Sequence, residues 1–75
     1  MGNELKNWKP REVVKFLKKQ GFIAIASRGK GDHCFMHNPK TQKGFPVDMG
    51  RDSFFASEMK NFCKSSGIPE ENWKK

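Results

Sequence analysis

The chain has 75 residues and a mass of 8.7 kDa, which leaves room for one small domain over 1–75 and excludes a multi-domain enzyme with a deep substrate cavity. Fifteen Lys and Arg against eight Asp and Glu give a net charge of +7, so a polyanion is the first partner to consider, nucleic acid ahead of an acidic protein. No stretch reaches the roughly 20 apolar residues of a membrane span and the N-terminus lacks the apolar run of a signal peptide, so a soluble, cytoplasmic protein with no membrane partner is expected.

Twelve of the fifteen cations are Lys. That suits phosphate neutralisation better than the bidentate reading of base edges at which Arg excels. Cys34 and Cys63 form no CxxC pair and sit within apolar patterns, where a free thiol behaves as a small hydrophobe. Neither a disulfide framework nor a zinc site is expected, since His33, Cys34 and His37 alternate across a strand and Cys63 adds only a lone fourth candidate. No metal or other cofactor is therefore expected.

Pro10 announces a first helix, because the amide it lacks would have no partner in the first turn. Trp8 and Val13 fall at the positions of a hydrophobic staple around Lys9, and Glu12 sits where the helix dipole favours an anion. Val13, Phe16 and Leu17 make the apolar stripe, Lys18 and Lys19 suit the C-terminal dipole, and Gly21 supplies the left-handed ending. Phe22 to Arg28 reads as a strand running into the hairpin signal Gly29-Lys30-Gly31, with Asp32 to Asn38 as the returning strand. Pro39 to Lys43 makes the next turn. Gly44 to Met49 follows, with Phe45, Val47 and Met49 on one side and Pro46 placing the strand at an edge.

A second helix is expected to begin between Asp52 and Ser57, either of which is a credible cap, with Phe55, Met59, Phe62 and Cys63 on one face. Gly67 ends it, with Ile68 closing on Cys63 in a Schellman-type turn and Pro69 forbidding continuation. Trp73 either folds back as a lid on the core or belongs to a frayed tail. The predicted class is α+β, in the order α-β-β-β-α: a three-stranded antiparallel sheet with two helices on one face and the other face open.

In the middle strand, His33, Phe35 and His37 share one face and Cys34 and Met36 the other. Burying two histidines would leave ring nitrogens in need of partners, so Cys34 and Met36 are assigned to the core and the histidine set to the open face. Beside it the sequence places Arg28, Lys30 and Lys43. Imidazole takes and gives a proton near neutrality, as cleavage of a phosphodiester by an internal 2′-hydroxyl requires. Lysine stabilises charge on phosphoryl oxygens, and Phe35 offers a stacking surface for an unpaired base, worth about 1–3 kcal/mol. The expected RNA contacts are Arg28, Lys30, Phe35, His37, Lys40 and Lys43, with Lys74 outside the site in the tail. Asp48 is the candidate orienter of His33, provided that Val47 is core.

Gly31-Asp32-His33 after a strand opened by Gly21-Phe22, Asn38-Pro39 after the middle strand, and a helix ending in Ser66-Gly67-Ile68-Pro69-Glu70-Glu71 together resemble the HicA toxins of bacterial toxin-antitoxin systems. The similarity covers nearly the whole chain in the same order. It implies a fold like that of double-stranded-RNA-binding domains, metal-independent cleavage of mRNA by a protein monomeric when free, and neutralisation by a HicB-type antitoxin that covers the active surface. It also implies that His33 is the catalytic residue. The chain departs from the family in carrying Cys34 where many members have a second histidine, Asn38 before the proline where several have histidine, and no histidine in Phe45-Pro46-Val47-Asp48-Met49. The Gly-Thr-Leu start of the family's last helix is replaced by Ser57-Glu58-Met59. The alternative reading is a non-catalytic RNA-binding module of the same shape; a domain that only meets an acidic protein is a third, and predicts no affinity for RNA.

Overall fold

In a computed structural model of the protein, which describes residues 5–26 and 33–74, helix α1 runs Pro10–Lys19. The Glu12 carboxylate accepts the Lys9 amide at 2.8 Å, so the acid in the first turn satisfies a donor that the helix itself cannot. At the other end Gly21 takes a φ of 98°. The Gly21 amide donates to the Lys18 carbonyl and the Phe22 amide to that of Leu17, the two bonds of a Schellman closure. Phe22 and Leu17 are both buried beside it.

Phe22 thereby sets the parity of strand β1, Ile23–Ala26, which pairs antiparallel with β2, His33–Asn38; β2 in turn pairs with β3, Lys43–Asp48, in the order β1-β2-β3. The Gly29-Lys30-Gly31 turn lies outside the described residues. A four-residue turn joins β2 to β3, with the Asn38 side chain accepting the Lys40 amide at 2.9 Å and its carbonyl accepting that of Gln42 at 2.7 Å, an arrangement to which asparagine is suited. Pro46 lies in the edge strand β3, as its missing donor requires. Met49 does not continue the buried row of Phe45 and Val47: β3 ends at Asp48, and Met49 is exposed in the turn that follows.

Helix α2 spans Ala56–Ser66. Neither Asp52 nor Ser57 caps it; the N-cap is Phe55, whose amide donates to the Glu58 carboxylate at 2.8 Å. Because Phe55 precedes the helix, its ring is 71% exposed instead of sharing the core face of Met59 and Cys63. Phe54 occupies the core in its place, tied by its amide to the Trp8 carbonyl at 2.8 Å. Gly67 ends α2 at φ 76°, but a single bond from its amide to the Cys63 carbonyl replaces the expected Schellman pair. The Ile68 amide goes instead to the buried Ser66 hydroxyl, which itself donates to the Cys63 carbonyl.

The architecture is α+β with α-β-β-β-α topology. Met36, Phe45 and Val47 are buried on the sheet face that meets Val13, Phe16 and Leu17 of α1 and Met59 and Cys63 of α2, so both helices cover the same face. An aromatic run of Phe22, Phe45, Phe62 and Phe54, with centroids 5.0–6.0 Å apart, joins sheet to α2. Among the described residues no helix is long and apolar enough to cross a membrane.

After a 3₁₀ turn at Glu70–Asn72, Trp73 returns to the core and is fully buried. Its ring lies 5.5 Å from Trp8 edge-on and 4.4 Å from Phe16, and its indole N–H donates to the Ile68 carbonyl at 3.2 Å. Trp73→Ala is expected to lower unfolding free energy by about 3–5 kcal/mol in urea denaturation, and Trp73→Phe by less, since the ring is the larger part of what it contributes.

Candidate functional site

Strand alternation and pairing decide what the uncovered face of the sheet carries. His33 and Phe35 are exposed on it and His37 is half-buried, while Cys34 and Met36 turn to the core. Ile23 pairs with His37 and Ile25 with Phe35, so both isoleucines stand on the same face, 50% and 44% exposed beside a Phe35 that is 38% exposed. The face is therefore apolar at its centre. Large aliphatics in a strand ordinarily argue for the core side, and the burial of Phe22 is what turns them outward.

The Phe35 ring reaches Gly44. A Cβ on Gly44 would stand 2.8 Å from the Phe35 Cε1 and 3.1 Å from its Cζ, so the ring edge occupies the space over a position that has no side chain. Glycine is required here by this close approach rather than by a turn.

His33 pairs directly with Asp48, and with Val47 buried both side chains project from the uncovered face. No hydrogen bond joins the two; the Asp48 carboxylate accepts the Gly50 amide at 3.0 Å through one oxygen. A shallow hollow of about 350 Å³ beside β3 is bounded by His33, Pro46 and Asp48 from the sheet and by Arg51, Glu58 and Asn61 from α2 and its approach. Arg51 forms a two-pronged ion pair with Glu58, one arm at 2.8 Å. Its guanidinium also lies 5.4 Å from the Phe54 ring and 5.6 Å from that of Phe55. The hydrogen bond from Arg51, with that from the Phe55 amide, holds the Glu58 carboxyl below its ordinary value. The pair fixes the guanidinium at the rim of the hollow but, being half-exposed, adds little to stability.

The remaining candidates are dispersed. Arg28 and Lys30 lie outside the described residues. Lys40 sits in the β2–β3 turn, at the opposite end of β2 from His33, about 17 Å away for five residues of strand. Lys43 is not on the uncovered face at all. It shares the parity of Phe45 and Val47, and its side-chain carbons lie against Gly67, where a Cβ would be 3.0 Å from the Lys43 Cε. That places its charge at the C-terminal end of α2, where the dipole favours a cation. Arg51 is the residue that sequence reasoning missed. Its only signal was the i, i+7 spacing to Glu58, which crosses a loop and a helix start and has no local meaning.

Burial pushes the Cys63 thiol up to about 11, so it stays protonated and inert at neutral pH. Among the described residues no cluster of three or more His, Cys, Asp or Glu side chains is placed to hold a metal ion. Compared with known proteins, the chain matches no family model and no curated protein.

Gly44→Ala should destabilise the protein, because the new methyl meets the Phe35 ring. The cost should shrink when Phe35→Ala is also present, by about 0.5–3 kcal/mol of coupling in a double-mutant cycle of denaturant melts. Strict additivity would show that the ring does not rest on Gly44.

Proposed function

We propose that the chain is a metal-independent endoribonuclease of the HicA kind, a cytoplasmic toxin that cleaves mRNA and is neutralised by a HicB-type antitoxin. The observation that carries this reading is the placement of His33: exposed on the uncovered sheet face, in a hollow that also holds a carboxylate and a guanidinium. The element order agrees with what the resemblance implies, and the apolar surface of Ile23, Ile25 and Phe35 suits coverage by a partner protein.

In this reaction the His33 imidazole takes the proton of a ribose 2′-hydroxyl as its oxygen attacks the adjacent phosphorus. The bond from phosphorus to the 5′-oxygen breaks, leaving a 2′,3′-cyclic phosphate and a 5′-hydroxyl whose proton comes from water. Arg51 takes the part that the turn lysines were expected to play, stabilising charge on the phosphoryl oxygens. Glu58 holds its fork in place. Phe35 stacks a base two residues along the strand from His33. His37 stands about 13 Å from His33 along β2, too far to act on the same phosphodiester, and contacts RNA further along.

The second reading, a non-catalytic RNA-binding module, is favoured by one observation: Asp48 is engaged by Gly50 and does not orient His33. Incubating end-labelled RNA with the wild-type protein and with His33→Ala separates the two. Cleavage to cyclic-phosphate ends is expected from the former only, with thermal melts and RNA binding nearly unchanged in the variant. Equal cleavage by both proteins removes His33 from the mechanism, and no cleavage by either favours the module. Activity should also survive exhaustive EDTA treatment; a loss restored by Mg²⁺ or Zn²⁺ would overturn the metal-independent mechanism.

A further inference from the structure

The uncovered sheet face is poor in cations among the described residues, and the charge has gone elsewhere. Arg11, Lys15, Lys18 and Lys19 are all exposed on α1. At 3.6 residues per turn they fall within an arc of about 100°, over a length of about 12 Å, opposite the buried stripe of Val13, Phe16 and Leu17. None of the four is in an ion pair with another described residue. Lys74 joins them: burial of Trp73 against Trp8 and Phe16 brings Lys74 to the rim of a hollow of about 240 Å³ that Lys15 and Lys19 also line. Lys74 is thus no solvated tail.

Helix stability does not explain this stripe. Arg11 lies in the first turn, where the dipole disfavours a cation, and the spacings Arg11 to Lys15 and Lys15 to Lys19 are i, i+4 contacts between like charges. Among the described residues the acid beside the stripe is Glu12, which lines the same hollow as Lys15, Lys19 and Lys74 and whose carboxylate accepts the Lys9 amide.

We propose that the outer face of α1, together with Lys74, is a docking surface for the RNA sugar-phosphate backbone, separate from the sheet face that carries His33. The inference rests on RNA being the ligand, as in the function proposed above. It assigns general affinity to the helix layer and chemistry to the sheet, so the surface should bind RNAs of different sequence alike.

The test measures binding of labelled RNA at several salt concentrations in the His33→Ala background, which separates binding from cleavage. Each phosphate contact removed should lower the salt slope of log K by about 0.7 in magnitude for a single strand. Lys15→Gln with Lys18→Gln is expected to weaken all RNAs and to lower the slope by about 1.4. Arg11→Gln with Lys74→Gln should act similarly and guards against a folding defect in the first pair. Lys60→Gln with Lys64→Gln, the same charge change on exposed positions of α2, should leave the slope unchanged. RNA binding with equal slopes in all three pairs overturns the surface while leaving the RNA reading intact. Failure of the parent protein to bind RNA overturns both, and binding to phosphatidylserine vesicles in its place, lost in the α1 pairs, would assign the stripe to lipid.

Discussion

Trp73 and Trp8 meet at the centre of the helix layer, edge to face, with Phe16 of α1 against both. Two segments 65 positions apart are joined there to the first helix, and burying a ring of this size removes roughly 150–250 Å² from water, about 4–6 kcal/mol each. In a domain whose whole margin is of that order, the three rings decide whether there is a fold. The same contact fixes the segment before α1, and through the Trp8 carbonyl it fixes the Phe54 amide and so the approach to α2. The helix layer is therefore closed by one aromatic cluster, and the sheet is attached to it by another.

That attachment determines what the protein shows to partners. Phe22 enters the core as the last contact of the α1 closure, and everything after it alternates from that start. Ile23 and Ile25 then have to face outward, which makes the uncovered sheet face apolar and leaves His33 at its margin. Arg11, Lys15, Lys18 and Lys19 collect on the far side of α1. Among the described residues an apolar sheet face and a cationic helix face thus sit on different layers of the same small molecule, and the proposed division between chemistry and affinity follows from this separation.

At the margin His33 has neighbours from both layers. Asp48 reaches it through strand register, whereas Arg51 arrives through the packing of α2 against β3 and is held there by Glu58. Sequence resemblance points to the histidine and says nothing of the arginine. The points at which the chain differs from the HicA toxins it resembles lie close by: Cys34 packs partly against the core, and Asn38 is buried with its side chain serving the β2–β3 turn. Neither position presents a side chain on the face of His33, so the histidines that HicA toxins carry there have no direct substitute in this chain.

The elements themselves were legible in the sequence because local rules govern them. Pro10 and Glu12 start α1 and Gly21 ends it; Gly67 ends α2; Pro46 puts β3 at an edge; alternation around Met36 sorts His33 and Phe35 from the core. Each is decided by backbone geometry within a few residues. What stayed hidden depended on distance through space. Phe55 and Phe54 are adjacent and equally apolar, and only the bridge to Trp8 selects Phe54 for the core. Lys43 reads as a turn lysine until α2 is seen to end beneath it, and Lys74 reads as a tail until Trp73 is seen to anchor it. The sequence by itself determined the order of helices and strands and several of their ends, such as Pro10, Gly21 and Gly67, since those rest on local hydrogen bonding and periodicity; the start of α2 and which charges meet which surfaces were decided only by the tertiary structure, because a side chain's charge carries no local preference for the neighbour it will find.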